Sequence, residues 1–224
     1  MTETTPPFED LLALIDDRSA ALRAAAAGNY PARVPGCPDW SVGDLVAHLG
    51  EVQRFWAAAA AAGPADRAPV FVSREATGDL LDWSAESTRL LIEALRAAGP
   101  DTGCYTWWKD SGAPATVGAV ARHQVQEAAV HAWDAQEAAG KPEPIPAAVA
   151  VDSIPEFLQV SLGSLGPWPH RPARLALSAT DGPTWTLDLT PTGATPDPAA
   201  RRRRPGPPRS GRPGGPPRAG RSTR

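Results

Sequence analysis

Four blocks of helical periodicity, each closed by a glycine, constrain the fold of this chain more than any other feature. From Phe8 to about Ala27 the apolar residues Leu11, Leu12, Leu14, Ile15 and Leu22 recur at three- and four-residue spacing up to Gly28, which predicts a first amphipathic helix. The loop NYPARVPGCPDW is rich in Pro and Gly. Ser41 then offers a side-chain acceptor to the first turn of a second helix, and Asp44 three residues on completes a capping-box start. That helix runs to Gly63 with Leu45, His48, Leu49, Val52, Phe55 and Trp56 on one face, so His48 is directed inward. Past Pro64, Pro69 and the apolar run VFV, Ser84 reads as the N-cap of a third helix that carries Leu90, Leu91, Ile92 and Leu95 and ends at Gly99-Pro100. Thr116 opens a fourth helix, closed by Gly140 with Pro142 beyond, and a fifth, shorter helix is expected from Pro146 to about Leu162.

From Ala173 the texture changes. ARLALSAT and TWTLDLT alternate apolar and polar residues about a DGP turn, the pattern of a β-hairpin. Two strands do not stand alone, so they read as the opening of a small α+β unit whose remaining strands and helix are expected where the C-terminal tail sits. The predicted fold is mainly α: a four-helix bundle of up-down type over residues 1–145, an incomplete α+β C-terminal domain over 146–195, and a disordered Arg/Pro/Gly-rich tail over 196–224.

Charge is divided along the chain. Residues 201–224 hold nine arginines and no acid, while residues 1–200 hold thirteen Lys plus Arg against twenty-five Asp plus Glu. An arginine tail can neutralise nucleic-acid phosphates, but this one lacks interleaved aromatics and follows an acidic body that repels them, so nucleic acid is not the expected partner. Its Arg, Pro, Gly, Ser, Ala and Thr are the residues that GC-rich codons give in a wrong frame, and they lack the apolar content to pack. The N-terminus has no basic segment followed by a long apolar run, and no stretch offers eighteen uninterrupted apolar residues. A cytoplasmic protein without a membrane partner is expected. Cys37 and Cys104 fit neither a disulfide scaffold nor a CxxC motif and read as reduced thiols.

Of four histidines, His48, His123 and His131 fall on predicted bundle helices, and His170 lies beyond them. Glu127 and His131 are four residues apart, so both project from one helix face a turn apart. With His48 facing them they form two imidazoles plus a carboxylate, a set typical of catalytic zinc or another borderline divalent ion with a coordination position left open. Other readings compete residue by residue. A histidine on an apolar face is more often core than ligand, and an E-x-x-x-H pair is often a solvated one. His123, four residues before Glu127, is the leading alternative ligand; Asp134 either orients a ligand imidazole or is a surface carboxylate; Trp133 reads as packing.

The segments VPGCPDWSVGDLVAHLGEVQRFW and ARHQVQEAAVHAWDAQEAAGKPEPIP resemble the mycothiol-dependent maleylpyruvate isomerase-like proteins, a branch of the DinB-like metal-binding four-helix-bundle superfamily, and the likeness spans residues 8 to about 165. The resemblance implies His48, Glu127 and His131 as the metal ligands, with no catalytic residue beyond them. It implies zinc as the first choice of divalent ion and the thiol mycothiol as a second cofactor. A thiol activated at an open metal position would act on a small electrophilic substrate, by isomerisation or thiol transfer. Members of this family also carry a C-terminal α+β domain that helps form the cleft, of which residues 167–190 keep only the start. The alternative is therefore a noncatalytic metal-stabilised bundle or binding module. Substrate identity and oligomeric state are not written in the sequence.

Overall fold

The computed structural model describes residues 5–70, 78–180 and 182–197, together with the backbone of Arg201–Arg202. The expectations for Phe71 and Val72, for Asp181 of the DGP turn and for residues 198–200 and 203–224 of the tail lie outside the described residues.

Helix α1 (Phe8–Ala26) begins behind Pro7 and buries Leu11, Leu12, Ile15, Leu22 and Ala26 on one face. Helix α2 (Val42–Ala62) opens with the expected capping box. The Asp44 N–H donates to Ser41 Oγ at 3.2 Å and the Ser41 N–H donates to Asp44 Oδ2 at 2.8 Å, so two otherwise orphaned donors are satisfied reciprocally. Helix α3 (Leu80–Ala98) starts earlier than the sequence suggested. Its cap is Asp79, which accepts from the Leu81 and Asp82 N–H groups at 2.8 and 3.1 Å, and Ser84 lies fully buried inside the helix instead. The carboxylate after Gly78 reaches the free N–H groups first, and Trp83 in the opening turn supplies the apolar contact that seats the helix. Helix α4 (Val117–Ala138) opens at Thr116, whose hydroxyl accepts from the Ala119 N–H, and Gly140 follows its end at φ +71°. Helix α5 (Ala147–Phe157) contains Pro155, which cannot donate to the preceding turn, and it continues as a π turn over Leu158–Leu162.

The first four helices form the expected bundle. Helix α1 packs mainly on α4 and α3, and α2 mainly on α3 and α4, so α1 and α2 sit across the diagonal although they are consecutive in sequence. The α2–α3 crossing depends on Gly50, because a Cβ there would stand 2.1 Å from Trp83 Cζ3. One apolar cluster joins Leu12, Ile15, Trp56, Leu91, Leu95, Trp108 and Val120, and a second joins Leu22, Val42, Leu45, Leu49 and Ala128. Between α1, α2 and α3 a buried polar chain runs through the core: Gln53 donates to Ser19 at 2.8 Å, and Thr88 donates to Gln53 at 2.9 Å. Satisfied groups of this kind specify which helices meet.

The loop expected at residues 29–40 contains an antiparallel hairpin of β1 (Arg33–Val34) and β2 (Cys37–Ser41), with Val34 fully buried. Beyond α5, β3 (Ala173–Ser178) pairs with β4 (Pro183–Thr190) in the expected hairpin, Leu175 opposite Leu187 and Leu177 opposite Trp185. Two additions extend it. The segment β5 (Gly193–Pro196) and the two-residue β6 (Arg201–Arg202) both pair antiparallel with β4. Trp185, Leu187 and Leu189 point from β4 into a small third core with Leu158. Among the described residues, no helix is long and apolar enough to cross a membrane.

Candidate metal centre

The α2 capping box and the α4 register together aim three side chains at one point. His48 lies two turns into α2, and Glu127 and His131 lie one turn apart on α4, which packs against it. One donor atom from each of the three lies within 4.8 Å of the others, and all three residues are half-buried. Two imidazoles and one carboxylate at that spacing form a group able to hold a metal ion.

Neighbouring groups orient these side chains. The Nδ1 of His131 lies 3.3 Å from Asp134 Oδ2, one turn further along α4. A proton on Nδ1 donates to that carboxylate and leaves Nε2 as the lone-pair nitrogen of the neutral ring, facing Glu127 Oε2 at 3.4 Å. The ring of His48 stands edge-on to His131 with centroids 5.3 Å apart, and Trp40 of β2 also meets His48 edge-on, at 4.9 Å. The β1–β2 hairpin thus walls the site. Its turn comes close to the supporting carboxylate as well, since a Cβ on Gly36 would lie 3.6 Å from Asp134 Oδ1.

Charge differs sharply between the two imidazoles. Burial lowers the pKa of His48, and the nearby His131 lowers it further. Burial also works against the charged form of His131, but hydrogen bonds to Asp134 and Glu127 overcome it and raise its pKa to about 9. Burial pushes the Glu127 carboxyl up, yet the His131 hydrogen bond and the surrounding histidines hold it below the ordinary carboxylate value. An anionic Glu127 between two imidazoles, one of them readily deprotonated, is a donor set for a cation.

His123, the alternative ligand, takes a different place. It is 4% exposed and its Nδ1 sits 2.9 Å from Oε1 of Glu156, a residue of α5 that is itself 2% exposed. The rings of Trp56, Trp107 and Trp108 surround it, and its Nε2 lies 3.8 Å from the far oxygen of Glu127. Asp134 is buried rather than a surface carboxylate, and Trp133 is half-buried. His170 meets Trp168 edge-on and is not part of the group. The roles of Trp40 and Glu156 are absent from a reading by sequence, although Trp40 stands next to the Ser41 cap that fixes α2. An apolar groove of about 530 Å³ between α4, α5 and the sheet, lined by Val130, Ile154, Phe157, Leu175 and Leu177, contains none of these donors.

Residues 12–136 match the protein family described as the mycothiol maleylpyruvate isomerase N-terminal domain. Searches of curated proteins and of solved structures gave no match. The family match takes in His48, Glu127, His131, Asp134 and the β1–β2 hairpin, and it covers more than half of the chain. The chain belongs to that family.

Proposed function

We propose that this member of the mycothiol maleylpyruvate isomerase family is a divalent-metal enzyme of the cytoplasm that uses mycothiol, with His48, Glu127 and His131 as the ligands of one ion, zinc first. The observation that carries this reading is the convergence of those three donors, from two helices, within 4.8 Å. Two imidazoles and one carboxylate suit a borderline divalent ion, and three protein ligands leave a position open. When bound, such an ion supplies the positive charge that lets a thiol lose its proton near neutral pH.

The remaining duties fall to the chain. Asp134 accepts from His131 Nδ1 and so presents the lone pair of Nε2 to the centre. Glu127 contributes Oε2 and a negative charge that offsets part of the ion's own. Trp40 packs edge-on against His48 and helps hold its ring in place. Cys104 does not substitute for the cofactor thiol: it is buried, and desolvation pushes its pKa up to about 11. A small electrophile with an activated double bond is the expected substrate. Addition of the thiol, rotation and loss of the thiol give cis–trans isomerisation, and a retained adduct gives thiol transfer.

Titration of the metal-loaded full-length protein with mycothiol tests the reading. Saturable binding of one equivalent with release of one proton is the expected result. A loaded protein that binds no thiol is a metal-stabilised bundle and not a thiol-using enzyme.

A further inference from the structure

Glu127 has a histidine on each of its oxygens. Oε2 lies 3.4 Å from His131 Nε2, on the side of the three-donor group, and Oε1 lies 3.8 Å from His123 Nε2. His123 is itself held firmly. Glu156, 33 residues further along the chain, meets its Nδ1 at 2.9 Å in a pocket where both residues are almost fully buried, and the three tryptophans limit movement of the ring. Beside this pair, Arg122 donates to both oxygens of Asp152, from Nε at 2.8 Å and from Nη2 at 3.0 Å. Two acid–base contacts, from adjacent residues of α4 to residues four apart on α5, therefore fix the register of these helices. The Glu156 contact forms just after Pro155 and just before the π turn, where helical regularity is given up.

A buried polar pair contributes little more net stability than apolar side chains of the same shape, so packing alone does not account for Glu156 and His123. We propose that Glu156 and His123 form a positioning strut for the metal centre: Glu156 fixes the His123 ring, and the ring confines Glu127 Oε1 so that Oε2 stays aimed between His48 and His131. The inference rests on the ligand assignment made above. It makes α5 part of the machinery of a centre whose three donors all lie in the four-helix bundle. Outer groups of this kind typically contribute about 10–100-fold to metal affinity.

Cobalt(II) titration of full-length variants, read by visible absorption, tests the strut alongside the thermal midpoints of the metal-free forms. His123→Phe keeps ring volume among the tryptophans and removes both nitrogens. The double variant His123→Phe/Glu156→Leu also removes the carboxylate left unpaired, and so restores packing without restoring the strut. Arg122→Ala loosens the same helix pair without touching Glu127. Single and double variants are expected to bind cobalt about 10–100-fold more weakly with a shifted visible band, while the double variant recovers thermal midpoint lost in the single one. Arg122→Ala is expected to lower the midpoint and leave affinity and spectrum unchanged. Wild-type affinity and spectrum in the double variant overturn the strut alone, as does an equal affinity loss in Arg122→Ala. A wild-type protein that binds no cobalt overturns the ligand assignment and the strut together.

Discussion

His123 and His131 lie eight residues apart on α4, and each has a carboxylate at Nδ1: Glu156 at 2.9 Å for the first, Asp134 at 3.3 Å for the second. Their other nitrogens face different surroundings. The Nε2 of His131 opens toward Glu127 and His48 in a half-buried setting, whereas that of His123 faces Glu127 Oε1 from inside a tryptophan-lined pocket. The carboxylate of His131 comes from its own helix, and that of His123 comes from α5. The same imidazole–carboxylate unit on the same helix thus joins a three-donor group able to hold an ion where a second imidazole converges with it, and ties two helices together where none does.

Stability should separate the two histidines most strongly. His123→Ala empties the space between the tryptophans and leaves the buried Glu156 without its hydrogen-bond partner, so the metal-free protein is expected to lose about 3–5 kcal/mol in chemical denaturation. His131→Ala, at the more open end, is expected to cost the metal-free protein much less. Equal losses would erase the distinction drawn between them.

A smaller effect is expected from pH, and it should come from His131. An ion binds the neutral imidazole, so below a pKa of about 9 each binding event displaces a proton from His131. Metal affinity is therefore expected to rise by roughly tenfold per pH unit between about 7 and 9 and to level off above. The stability that protonated His131 lends to the metal-free fold runs the opposite way: its raised pKa makes it fully present below about 6.5 and lost as pH climbs through about 9. His48, whose pKa is lowered, adds a slope of the opposite sign that is centred at and below the ordinary histidine value rather than near 9. Asp134→Asn removes the partner that helps raise the His131 pKa, and calorimetric titrations should then level off at lower pH. A pH-independent affinity from 7 to 9 would contradict the assignment of His131 as a proton-releasing donor.

Much of this was legible in the sequence because it depends on short spacings. Ser41 with Asp44, Thr116, Gly140 and the Glu127–His131 pair are all set within one or two helical turns, and each stands as the spacing predicts. The convergence of His48 on that pair required the resemblance, since helix periodicity directs His48 inward without saying which helix it meets. The misses have physical causes. Ser84 and Asp79 are both good caps; Asp79 takes the free N–H groups, and Trp83 of the opening turn lies against Gly50 of α2, a contact that no local spacing announces. The β1–β2 hairpin is too short to alternate visibly, and it stays in place through Val34 in the core and Trp40 on His48. Glu156 gave no signal at all, because an acid following a proline near a helix end reads as solvated until its partner 33 residues away is known.

The central claim is that His48, Glu127 and His131 hold one divalent ion while His123 stands behind them. Elemental analysis of purified full-length protein, wild type beside His48→Ala and His123→Phe at saturating metal, tests it most directly. The expected result is one equivalent in the wild type, none in His48→Ala, and one equivalent retained in His123→Phe. An ion retained by His48→Ala but lost from His123→Phe would contradict it.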